Sequence, residues 1–304
     1  MWLASPALTP HPLRIIPPPR RRARHAKAHP AVFTAALALV PAAPISAAAQ
    51  SLWLEPYSDP VIYVEILKPS FESVDLTLLS SVWFLSGRLS VSDDLVLVAE
   101  IPLAFAEPDL DVQPLGPTVE TEMEGALGNV YVGLDWRPAS PEFFGELGVR
   151  LPLLDETDLA SAVGFFTDFV DRFEAFSSDL VALQVAGNYM RHYPSGFALR
   201  LRFSPILDFF TDAEETEVYF HYSGQGRYEA EGLALGGGLA GRWAVTSENA
   251  VENLSGTTIH HAALFGSYEI GRFRPGMQVR IPIDEDLRDF IDLTVGLTLG
   301  IRLD

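Results

Sequence analysis

Cysteine is absent from all 304 residues, which excludes disulfides, thiolate nucleophiles and thiolate metal sites. Acidic residues are absent before Gln50, where six of the 21 basic residues lie. The rest of the chain holds 15 basic against 40 acidic residues, a net of −25. A body that acidic repels phosphate backbones, so nucleic acid is excluded as a partner. Lysine is almost absent beyond the basic segment, although exposed sheet faces usually carry it. Also missing is any apolar run of the roughly 20 residues that a helix needs to cross a bilayer.

What stands before Gln50 has the plan of an export signal. "RRRARHAK" is a basic region, "AVFTAALALV" (Ala31 to Val40) a short apolar core, and "ISAAAQ" supplies small residues for cleavage after Ala49. The expected organisation is therefore a cleaved signal and extension over 1–49, a short periplasmic lead over 50–60, and one domain over 61–304.

That domain is written in alternation. In "IDLTVGLTLGIRLD", Ile291, Leu293, Val295, Leu297, Leu299, Ile301 and Leu303 take one face of a strand, and Asp292, Thr294, Gly296, Thr298, Gly300 and Arg302 the other. Twelve runs read as strands: Val61–Lys68, Leu78–Ser92, Leu95–Ala106, Val130–Arg137, Phe143–Leu153, Leu180–His192, Phe197–Phe209, Glu217–Tyr228, Leu233–Thr246, Ile259–Ile270, Met277–Ile283 and Ile291–Leu303. Many reach the nine to eleven residues or so that a tilted membrane strand requires, where globular strands are nearer five or six. The polar faces mix Arg and Glu with Gly, Ala and Ser, which suits long charged side chains crossing an enclosed space. The links alternate longer and shorter, as they do when both termini of a barrel share one side of a membrane. The expected fold is all-β, a transmembrane antiparallel up-and-down barrel of about 12 strands. Its apolar face meets lipid, and its loops on the far side are acidic.

One of those loops has helical periodicity. "LASAVGFFTDFVDRFEAF" places Phe166, Phe169, Val170, Phe173 and Phe176 on one side and Asp168, Asp171, Arg172 and Glu174 on the other. Lying on the outer surface, capping the mouth and folding inward are all open to such a helix. The expectation adopted is a short extracellular helix packed on the barrel rim.

Together with the signal and the hairpin rhythm, "GNVYVGLDWRP", "FFGELGVRLPL" and "LVLVAEIPLAFAE" give the chain a resemblance to the outer-membrane β-barrel proteins of Gram-negative bacteria. In particular it resembles a poorly characterised, transporter-like group. The resemblance implies residence in the bacterial outer membrane. It also implies contact with lipid and lipopolysaccharide, delivery by the barrel-insertion machinery, and passage of a small solute. It brings no catalytic or ligand-binding residues. Such barrels usually end on an aromatic; this chain ends Ile301-Arg302-Leu303-Asp304.

"GGGLAG" (Gly236 to Gly241) matches a dinucleotide fingerprint, but it lies within a strand with no helix following. His192, His221, His260 and His261 lack metal-ligand spacing, so no metal or other cofactor is expected. His221 and Ser223 share a strand face, as a base and nucleophile could. The register points both into the lumen, where a lipid hydrolase needs them facing lipid. An enzyme is therefore not expected, and this pair is the only catalytic alternative. The residues expected to line the lumen are Arg88, Glu100, Asp135, Arg137, Glu146, Arg150, Arg200, Arg202, Arg227, Arg242, Glu269, Arg280, Asp292 and Arg302, with Glu65 and Glu217 on the same face. The expected function is a channel or facilitator for small solutes. The alternatives are a non-transporting structural or adhesion barrel and an outer-membrane lipid hydrolase.

Overall fold

The computed structural model describes residues 60–71, 80–107, 123–138, 142–154, 157–212, 215–246 and 258–303. The expected signal and all of the lead but Pro60 lie outside them, as do the acidic stretches 108–122 and 247–257.

The strands are β1 (Val61–Phe71), β2 (Ser81–Ser90), β3 (Leu95–Ala106), β4 (Glu124–Leu127), β5 (Tyr131–Trp136), β6 (Phe143–Arg150), β7 (Leu180–His192), β8 (Phe197–Phe210), β9 (Glu215–Ala230), β10 (Leu233–Ala244), β11 (Thr258–Tyr268), β12 (Phe273–Pro282) and β13 (Ile291–Arg302). Each pairs antiparallel with its neighbours, and β1 pairs with both β2 and β13, so the sheet closes. Twelve strands make the barrel. The thirteenth, β4, falls where the sequence suggested only a long loop, and it pairs with β3 alone, beyond the end of β5. From Leu127 to Tyr131 the chain takes four steps while β3 takes three, from Leu103 to Glu100. That extra residue is a bulge: Gly128 still donates to the Pro102 carbonyl of β3 at 2.9 Å, but the Asn129 amide leaves the sheet and donates to the Ala175 carbonyl at 2.7 Å.

The alternation resolves as the composition requires. Trp83, Leu85, Leu201, Phe203, Leu239 and Leu297 point outward and are exposed, while the alternate positions, charged ones included, are buried inside. A continuous apolar outer surface is stable only against hydrocarbon, whereas a soluble sandwich would bury the same residues.

Turns at the end carrying the termini are short: 91–94, 137–142, 193–196, 231–232 and 269–272. Glu231 and Gly232 both have positive φ (50° and 84°), the backbone that lets a two-residue hairpin match strand twist. The longest link described in part, between β6 and β7, lies at the other end and carries α1 (Leu159–Thr167), α2 (Phe169–Arg172) and a 3-10 turn over Phe173–Phe176. A third short helix, α3 (Glu285–Arg288), follows β12.

Candidate functional site: a charged lumen holding an inward loop

The β6–β7 link turns into the barrel. Asp158 caps α1: its carboxylate accepts from the Ser161 amide at 2.7 Å, and the Ser161 hydroxyl oxygen accepts from the Asp158 amide at 2.9 Å. Ala160, Val163, Ala175 and Phe176 pack on inward-facing Leu67, Val82, Phe84, Ala104 and Ala126. The wall is apolar inside at just this place, which gives the helix a seat. Two close approaches require glycine. A Cβ on Gly164 would come within 2.5 Å of the Phe176 ring, and one on Gly128 within 2.3 Å of the Ala175 carbonyl oxygen.

The helix breaks at Asp168, which has φ −125° and ψ 31°. The break brings Asp168, Asp171, Arg172 and Glu174 onto the interior, all of them buried. The rim placement expected from the sequence is therefore corrected. The charged side of the helix is sunk among barrel charges.

Arg172 sits at the centre. Its Nη1 donates to Glu100 of β3 at 2.8 Å, its Nη2 to Glu65 of β1 at 2.6 Å, and its Nε to Asp168 at 2.5 Å. The guanidinium lies 3.5 Å from the centroid of the Phe84 ring. Burial works against this cation, but Asp168, Glu65 and Glu100 outweigh it and raise its pKa well above the ordinary arginine value. Arg280 of β12 donates to Glu65 at 2.9 Å and to Asp168. Arg242 of β10 grips Glu174, with Nη1 at 2.5 Å, and donates through Nε to the Val170 carbonyl at 3.0 Å. Arg150 of β6 reaches Glu100 at 2.9 Å and the Asn129 carbonyl at 2.8 Å.

Asn129, freed by the bulge, works as a clamp. Its Nδ2 donates to the carbonyls of Glu174 (2.9 Å) and Ser177 (2.6 Å), and its Oδ1 accepts from the amides of Leu153 and Leu154. His261 Nε2 and His221 Nε2 approach Asp171 Oδ1 at 3.3 and 3.7 Å. Burial would raise the Asp171 pKa, but His261, Arg280 and His221 overcome it and hold this carboxyl below the usual range.

A second cluster lies toward the terminal end. Arg88 pairs with Asp135, and Arg137 Nη2 stands 3.8 Å from the same carboxylate. Arg202 pairs with Glu146, Arg200 Nη2 lies 3.6 Å from it, and Arg200 also donates to Asn188 Oδ1 at 3.0 Å. Arg227 Nε meets Glu229 at 2.5 Å.

Of the positions expected in the lumen, Arg88, Glu100, Asp135, Glu146, Arg150, Arg200, Arg202, Arg227, Arg242 and Arg280 are buried, and Arg137 is half-buried. Glu269 and Arg302 differ, pairing at 3.4 Å at the terminal end with partly exposed side chains. Asp292 differs too. It is exposed at the loop end, skipped where the β1–β13 register slips between Ser70 and Phe71, and it accepts from the Ser70 hydroxyl at 3.4 Å. A one-residue slip removes a strand residue from the face its parity assigns.

His221 and Ser223 are buried inside. Gly236 to Gly241 lie within β10, paired to β9 and β11 on both sides. His260 faces outward, with its Nδ1 3.1 Å from Asp284 and its Nε2 2.7 Å from the Tyr222 hydroxyl. Among the described residues no cluster of three or more His, Asp or Glu is arranged to hold a metal ion. The central roles of Arg172, Asp168 and Asn129 were not read from the sequence. The charged stripe beside the phenylalanines was a signal for the first two, but its usual meaning is exposure.

The sequence matches no family profile and no curated protein. Among solved structures, an outer-membrane channel from Pseudomonas putida F1 aligns with TM-score 0.56 and 14% identity, over 84% of this chain and 100% of that one. LpxR from Salmonella typhimurium and the NanC porin align with TM-score 0.48 each, at 8% and 6% identity, over 80% of this chain and 100% of theirs. At such identities the shared property is the fold, that of Gram-negative outer-membrane β-barrels.

Proposed function

We propose that this chain is an outer-membrane channel for small solutes, and that the inward segment 157–179 limits its conductance. One observation carries the reading. The segment that enters the lumen is a single loop held by side-chain ion pairs, apolar packing and a few hydrogen bonds to its carbonyls, with no strand pairing of its own to the wall. A solvated competitor can exchange such contacts one by one, whereas a barrel filled by its own strands offers nothing to move. The resemblance in fold to an outer-membrane channel supports the same reading. The interior placement of His221 and Ser223, away from the lipid-facing surface, speaks against a lipid hydrolase, and passage needs no covalent chemistry.

Planar-bilayer recording tests it. The intact protein is expected to show small or infrequent openings, and a variant lacking 157–178 large and steady ones. A loop-deleted barrel that folds yet stays closed at every voltage would sink the proposal. The density of buried ion pairs favours a second reading, a rigid non-conducting anchor, and that outcome would establish it.

A further inference from the structure

The interior charges are not evenly mixed. The carboxylates Glu65, Glu100, Asp168, Asp171 and Glu174 gather around the inward loop. Toward the terminal end the interior is dominated by arginine: Arg88, Arg137, Arg200, Arg202 and Arg227, with Asp135, Glu146 and Glu229 paired against them. Arg200 and Arg202 share one face of β8, and Arg227 comes from β9 beside them. The Arg137 and Arg200 guanidinium carbons lie over one ring, 5.6 and 5.5 Å from the Phe144 centroid, so cations from opposite sides of β6 converge. Packing like charges together inside a wall is costly unless something negative joins them.

A second observation points the same way. Asn188, 3% exposed, gives its Oδ1 to Arg200, and its Nδ2 is a buried donor with no hydrogen-bond partner. A convergent set of guanidinium and amide donors is an acceptor-binding site.

We propose that Arg137, Arg200, Arg202, Arg227 and Asn188 form a binding site for a small carboxylate- or phosphate-bearing anion on the terminal side of the inward loop. The side chains packed around Arg200 and Arg227 leave no room for a water molecule between them. An anion therefore enters by taking the place of Glu146 and Glu229 on these arginines. The site's role as a station on the path rests on the channel reading; the binding itself rests on the geometry.

The test is calorimetric titration of inorganic phosphate, and separately of succinate, into the full chain in detergent. Saturable binding is expected. Replacing both Arg200→Gln and Arg227→Gln weakens it by about ten-fold or more, the loss of two charge-assisted hydrogen bonds. Glu146→Gln tightens it by removing the internal competitor, and Asn188→Asp abolishes it by placing an anion at the same point. A heat-dependent gel shift checks that each variant is folded. Absence of binding to both probes overturns the site, as does equal affinity in all four proteins, which would mean an adventitious ion only. Reversal potentials in a KCl gradient separate this inference from the channel reading. Binding in the expected rank order with a silent bilayer keeps the site and removes the channel. Cation-preferring conductance without binding does the reverse.

Discussion

At the scale of single residues the chain depends on a few arginines that each meet several carboxylates. Removing one leaves its carboxylates with fewer partners. Arg172→Ala leaves Glu65 and Asp168 to share Arg280 and leaves Glu100 to Arg150, and the expected loss is about 3 kcal/mol, the low end for breaking a buried pair. Denaturant titration of the refolded protein in detergent measures it. Arg172→Lys is expected to recover only part of that loss, because an ammonium cannot present three donors in the guanidinium's fixed plane. Acid tests the neighbouring residue. Asp171 has its carboxyl pKa depressed in the fold, so the stability it contributes is fully present above the unfolded value, about 4. That contribution declines progressively as pH falls below the unfolded value and is gone once pH has passed the lower folded one. Amide exchange over 159–176 should therefore stay slow from pH 8 to pH 5, and Asp171→Asn should speed it throughout. Fast exchange already at pH 6 in the unmutated protein would contradict this.

Elements show where local pattern is enough and where it is not. Any outward strand position reads the lipid directly. Phe203→Arg places a cation on the apolar face, with an expected cost of roughly 2–4 kcal/mol if the site lies near mid-bilayer. Unfolding from vesicles would show it. The loop helix reads its neighbours instead. Gly164→Ala puts a Cβ into the Phe176 ring, and overpacking of about 1–3 kcal/mol is expected. If that loosens the seat, protease cleavage within 157–179 becomes faster while the barrel's heat-dependent gel shift is kept. The strands were legible because period two and polarity give both their existence and their facing. The helix was legible as a helix, since its phenylalanines recur at helical spacing. Its destination was not, because an amphipathic stripe states that two environments differ without saying which is inside. β4 was missed for a related reason: Glu124–Leu127 is too short to show a period.

For the whole molecule, closure is the deciding event. Arg172 meets Glu100 across 72 positions of chain and Glu65 across 107. Once β1 pairs with β13, strands far apart in sequence face one another through the lumen, and the ion pairs follow from that geometry. The parity of a strand assigns a charge to the interior, as it did for Arg88 and Arg242, but it fixes no partner. Parity also fails where the ladder slips, as at Asp292. By itself the sequence determined the class of fold and the side that lipid touches, because alternation is a local property repeated along every strand. Only the tertiary structure decided that segment 157–179 lies inside the barrel and which carboxylates hold it, because both depend on distances across a closed cylinder that no spacing along the chain encodes.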